Sequence, residues 1–81
     1  MRIETDWNAV ALALANRFLL SEVAEKVGCS DTSVSLLARG LSRQPQLKHR
    51  RSWVRVFREA FPDTELPQRP GKAYEGQQKS A

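Results

Sequence analysis

The stretch that decides the fold is residues 18–40, FLLSEVAEKVGCSDTSVSLLARG. Within it, Ala24 lies four residues before Gly28, while Val34 and Leu37 lie six and nine residues after that glycine. Two short helices that cross at about 90–120° need a small residue where they touch, and Ala24 supplies it. The turn between them needs a residue without Cβ strain, which Gly28 provides. The spacing predicts two helices joined by a tight turn; the alternative is a plain helical hairpin inside a bundle.

Helical periodicity continues on both sides of this stretch. We expect helices at residues 6–17, 20–27 and 31–39, and a fourth that ends at 61 and starts near 46 or at 52. Thr5 or Asp6 can cap the first helix, and Ser30 can cap the third, because their side-chain oxygens accept from backbone N–H groups that a helix leaves unpaired.

The composition changes at Pro62. Residues 62–81 contain three prolines, two glycines and mostly polar residues, with Leu66 and Tyr74 as the large apolar side chains. Such a segment buries too little surface to offset its ordering entropy, and no stretch shows convincing strand periodicity. We therefore predict an all-α, compact domain of four or five helices at residues 1–61 and a flexible polar tail at 62–81.

The chain has one cysteine, Cys29, and one histidine, His49. One cysteine forms no internal disulfide, and a closed zinc site needs about four ligands, so we interpret Cys29 as a small core residue and His49 as a surface residue. Neither a paired-carboxylate nor a Ser/His constellation is apparent, so we expect no enzyme activity and no cofactor. Residues 1–6 lack a signal-peptide core, and the apolar run 9–15 is far below the ~20 residues of a membrane span, which predicts a cytoplasmic protein.

Positive charge is concentrated in one block of this sequence of 81 residues. Residues 39–58 contain seven basic residues and no acidic one, whereas residues 1–38 carry a formal charge of −2 and residues 59–81 a charge of −1. A surface that serves only solubility normally mixes both signs, so this block favours a polyanionic partner.

Residues 18–40 resemble the helix-turn-helix of the lambda-repressor-like family, which includes phage repressors, Cro proteins and many small bacterial regulators. The matching positions are Phe18 before the second helix, Ala24 at its small position, Gly28 at the turn, Ser30 at the cap, Val34 and Leu37 in the recognition-helix core, Arg39 and Gly40 at its end, and Pro45 in the following loop. The sequence departs from the family at Leu20, where many members carry a glutamine that contacts a phosphate. The resemblance, which covers about residues 7–61, implies a DNA-binding transcriptional regulator, a repressor of Cro type in a bacterial cytosol or a phage-infected host.

The third predicted helix carries the candidates for base reading: Asp31, Thr32, Ser33, Leu36 and Arg39. The hydroxyls of Thr32 and Ser33 can donate or accept at base edges, and Arg39 can grip a guanine or bind a phosphate. Leu36 offers a methyl surface to thymine, or is a lone exposed leucine. Asp31 either accepts from cytosine or caps the helix.

The candidates for phosphate binding are Ser35, Arg43, Lys48, Arg50 and Arg51. They lie in or just after the recognition helix, in the loop that family members often place on the backbone of DNA. Ser35 either contacts a phosphate or is solvated without a DNA contact. Arg55 and Arg58 are expected on the solvent side of the fourth helix.

A single helix-turn-helix contacts only a short stretch of DNA, so useful sequence specificity implies a two-fold dimer on a near-palindromic site. Trp53, Phe57 and Phe61 exceed what four short helices obviously bury, so they are the candidate dimer interface; the alternative places all three in the monomer core. A rival function is an antitoxin-type autorepressor whose tail, residues 62–81, binds a protein partner.

Overall fold

The computed structural model describes residues 3–70. It contains four helices and two short strands: β1 (Ile3–Thr5), α1 (Trp7–Arg17), α2 (Leu20–Val27), α3 (Asp31–Ala38), α4 (Leu47–Ala60) and β2 (Gln68–Pro70). The predicted helical domain is therefore confirmed at this level. Across residues 3–70, every helix is too short or too polar to cross a membrane.

Local capping sets the helix boundaries close to their predicted positions. The Oδ1 atom of Asp6, rather than Thr5, accepts from the Ala9 amide at 3.2 Å, so α1 begins one residue later than predicted. The third helix ends one residue early, at Ala38. For α4 the longer alternative is correct, because the helix begins at Leu47.

The turn between α2 and α3 has the predicted geometry. Gly28 adopts φ +93° and ψ +31°, in the left-handed region that glycine enters without a Cβ clash. The amides of Gly28 and Cys29 both donate to the Ala24 carbonyl, at 2.8 and 3.0 Å, which closes the end of α2. Val34 and Leu37 are buried on the inner face of α3.

Aromatic residues of α4 complete the monomer core. Trp53 and Phe57 are only 1% and 2% exposed, so they offer no surface to a second copy, and the predicted dimer interface is wrong for these two residues. The physical reason is volume: α2 contributes valine and alanine to the core, which leaves room for large rings. Phe61 is half-buried, with its ring centroid 5.1 Å from that of Phe57.

The two strands correct the all-helical expectation. They pair antiparallel, with Ile3 opposite Pro70 and Thr5 opposite Gln68, and the Asp6 amide donates to the Pro67 carbonyl at 2.8 Å. Leu66 packs against the core. Residues 62–70 therefore return to the helical domain instead of leaving it as a tail, and the remainder of the predicted tail, 71–81, lies outside the described residues.

Candidate nucleic-acid interface

The outer face of α3 is a continuous exposed strip. Thr32, Leu36 and Arg39 follow one another at intervals of four and three residues, so they lie on one side of the helix axis. Each is exposed, although Leu36 only just so at 38%. This strip, which we call the α3 strip, has a hydroxyl, a methyl-rich side chain and a guanidinium along its length.

At the start of α3, one serine caps the helix, and the residues that follow it are the candidates for base reading. Ser30 is the cap, because its Oγ accepts from the Ser33 amide at 3.1 Å. The Ser30 hydroxyl also donates to the Ser33 Oγ at 3.0 Å, which engages Ser33 locally. Asp31 is exposed in the first turn and is not the capping residue. Its carboxylate remains available to accept a hydrogen bond.

A cleft of about 340 Å³ separates α3 from the start of α4. Ser33 and Leu36 line one side, and His49 and Trp53 line the other. Cys29 also lines the cleft and is partly buried against the core. Burial, followed by the charge of Asp31, raises the pKa of the Cys29 thiol above its ordinary value of 9.0, which disfavours the thiolate.

The phosphate-binding candidates do not form one uniform surface. Lys48 and Arg51 are exposed on α4, whereas Ser35 and Arg50 are half-buried. The Arg50 guanidinium donates to the Gln44 side-chain oxygen, and its buried Nε has no hydrogen-bond partner within residues 3–70.

Arg43, in the loop after α3, already lies beside a carboxylate. Its Nη2 is 3.5 Å from Oε1 of Glu4, on β1, and the Arg43 side chain is 40% exposed. A phosphate at this position would therefore compete with Glu4 for the guanidinium.

The outer face of α4 carries a strip of basic residues. Lys48, Arg51, Arg55 and Arg58 recur at intervals of three, four and three residues, and all four are exposed. The predicted solvent-side location of Arg55 and Arg58 agrees with this exposure. Arg55 also donates to the Lys26 carbonyl at 3.3 Å, so this part of α4 lies against the end of α2.

Sequence reasoning missed two residues that hold the loop between α3 and α4. Asn8, on α1, donates from Nδ2 to the carbonyls of Leu37 and Ser42, both at 2.7 Å. Arg69, on β2, donates to the Arg43 carbonyl at 2.9 Å. Neither had a sequence signal, because Asn8 stands within an ordinary helical pattern and Arg69 stands in a polar segment.

No family model, curated protein or solved structure matches the chain. The support for a function therefore comes from the residues and the geometry of the chain itself.

Proposed function

We propose that the protein is a sequence-specific DNA-binding transcriptional regulator of the helix-turn-helix type, in which α3 reads bases in the major groove. The observation that carries this proposal is the α3 strip: an exposed, chemically varied helix face directly before a block of basic residues. The α3 strip is not part of the core, because α3 packs on the domain through Val34 and Leu37 on its opposite side.

The dimensions and the chemistry of α3 fit a major groove. An α-helix with its side chains is about 10–12 Å across, which matches the ~12 Å width of the groove, and the eight residues of α3 give it a length of about 12 Å. Thr32 then exchanges hydrogen bonds with base edges, Leu36 packs against a thymine methyl group, and Arg39 donates to a guanine. Asp31, at the leading end of the helix, accepts from a cytosine amino group, and Ser33 lies at the edge of this contact.

Binding energy comes largely from phosphate contacts, which fix the position of the helix without reading sequence. Lys48 and Arg51 are exposed and reach phosphates directly. Arg43 and Arg50 exchange their present partners, Glu4 and Gln44, for phosphate oxygens. Ser35, being half-buried, contributes at most one hydroxyl contact.

We further propose that the protein acts as a homodimer on a near-palindromic operator and represses by occupying it. A single reading helix contacts a short half-site, and two-fold symmetry doubles the sequence that is read. The burial of Trp53 and Phe57 moves the candidate interface away from the inner face of α4. Among the predicted aromatic residues, only Phe61 remains partly accessible.

Selection from random duplex DNA tests the proposal. The full chain is mixed with a library of random duplexes, and bound DNA is recovered and sequenced over several rounds. We expect enrichment of one motif whose two halves are related by a two-fold axis. A library that stays random after repeated rounds, at a salt concentration where the protein still retains DNA, would contradict sequence-specific recognition.

A further inference from the structure

The Arg69 side chain, on β2, joins three other segments of the domain. Its side chain is 17% exposed, and each guanidinium nitrogen has its own partner. Nε donates to Glu4 Oε1 at 3.3 Å, Nη1 donates to Asn8 Oδ1 at 2.9 Å, and Nη2 donates to the Arg43 carbonyl at 2.9 Å. The Asp6 carboxylate lies 3.7 Å from Nη1.

Asn8 extends this set of contacts to the end of α3. While its Oδ1 accepts from Arg69, its Nδ2 donates to the Leu37 and Ser42 carbonyls. Asn8 and Arg69, which we call the loop clamp, thus hold three carbonyls from the last turn of α3 and the loop that follows. A side-chain amide has two N–H donors and an oxygen with two lone pairs, so Asn8 uses both donors and one of its acceptor positions here.

The loop has few regular backbone hydrogen bonds of its own. The Leu41 and Ser42 amides donate to the Leu36 carbonyl at 2.9 and 3.1 Å, and Gly40 donates to Leu37. These bonds tie the beginning of the loop to α3, but they do not attach it to α1 or to β2. The loop clamp supplies that attachment, beside the contact of Arg43 with Glu4 on β1, and so holds the loop relative to the α3 strip.

We propose that Arg69 is a positioning residue for DNA binding, which acts through Asn8 and the Arg43 carbonyl to hold the phosphate-binding loop in register with α3. This inference rests on the proposed function. It makes β2 part of the DNA-binding unit through the contacts of Arg69 within the domain. The planar guanidinium is required, because a lysine ammonium cannot place three separated N–H groups on partners from different segments.

The test compares Arg69→Lys with Arg17→Lys in the full chain. Both substitutions keep the positive charge, and Arg17 lies at the far end of α1, about 14 Å along the helix from Asn8. The Arg17 guanidinium lies over the Phe18 and Phe61 rings, 5.8 and 5.6 Å from their centroids, and a lysine ammonium can make the same cation–π contacts. A third variant, Asn8→Ala, removes the other half of the loop clamp at a helical position that accepts alanine. The measurements are amide hydrogen exchange at residues 41–44, the melting temperature, and affinity for the selected duplex.

We expect Arg69→Lys and Asn8→Ala to accelerate exchange at 41–44 and to weaken DNA binding about tenfold, the size of one lost charge-assisted hydrogen bond. Exchange at the core residue Leu14 should stay slow in both variants, which excludes general unfolding. Arg17→Lys should change neither loop exchange nor affinity by more than about twofold, since lysine keeps the charge and the cation–π contacts and the exposed position is far from the loop clamp.

Three results would overturn the inference. The first is unchanged loop exchange in both clamp variants, which would mean that these contacts do not hold the loop. The second is faster loop exchange with unchanged affinity, which would separate loop order from DNA binding. The third is a wild-type protein that selects no duplex, which would overturn the proposed function as well. This result is distinct from the other two, because it is obtained with the wild-type protein before any variant is measured.

Discussion

Replacing Gly28 by alanine tests the turn that sets the angle between α2 and α3. Gly28 adopts φ +93°, and a Cβ built at this position meets no atom within 4 Å. An alanine Cβ would therefore not overlap with neighbouring groups. The loss of folding free energy comes from the backbone strain of an L-residue in the left-handed region. That strain is about 1–2 kcal/mol.

The expected shift follows from the size of the domain. For 60–100 residues, 1 kcal/mol corresponds to about 4–8 °C in melting temperature, so Gly28→Ala should lower it by about 4–16 °C. Thermal unfolding followed by far-ultraviolet circular dichroism measures this change. Gly28→Asn is the matched control, because asparagine tolerates the left-handed region better than alanine does.

Two outcomes would refute this reasoning. A melting temperature of Gly28→Ala equal to that of the wild type would mean that the turn does not need a left-handed residue. An asparagine variant as unstable as the alanine variant would show that the loss does not come from backbone conformation. We expect the asparagine variant to lose less than half as much as the alanine variant.

Three further predictions concern the C-terminal segment, the basic block and the thiol. Ending the chain after residue 61 should lower the melting temperature, because it removes β2 and the packing of Leu66; an unchanged value, measured by circular dichroism, would contradict the described packing. In DNA titrations, log K should fall against log salt with a slope of about −0.9 per phosphate contacted; a flat response would contradict phosphate binding. Cys29, whose pKa is raised by burial, should react with a thiol reagent more slowly in the folded than in the urea-unfolded chain at pH 7.5, with the rate rising above pH 9; equal rates would contradict its burial.

The helix boundaries around the turn could be predicted because their causes are local. The Ser30 cap acts on an amide three residues away, and the Gly28 turn closes on a carbonyl four residues back. Such interactions are written in short sequence patterns, so the bounds of α2 and the exposed face of α3 followed from spacing alone.

The loop clamp and the sheet could not be predicted for the opposite reason. Arg69 and Asn8 are 61 residues apart in sequence, and strands of three residues are too short to show an alternating pattern. The burial of Trp53 was equally non-local, because it depends on the small volume of the residues that α2 contributes to the core. The composition suggested more aromatic side chains than four short helices could bury, whereas in the structure the core accommodates Trp53 and Phe57.

The central claim is that α3 reads bases while the basic residues bind phosphates. Competition binding tests it most directly: the affinities of Thr32→Ala, Leu36→Ala and Arg51→Ala are measured on the selected duplex and on a scrambled one. We expect the two α3 variants to lose about 1–3 kcal/mol on the selected duplex and little on the scrambled one. Arg51→Ala should weaken both alike, since a phosphate contact has no sequence information. Equal losses on both duplexes for Thr32→Ala and Leu36→Ala would contradict the assignment of α3 as the reading helix.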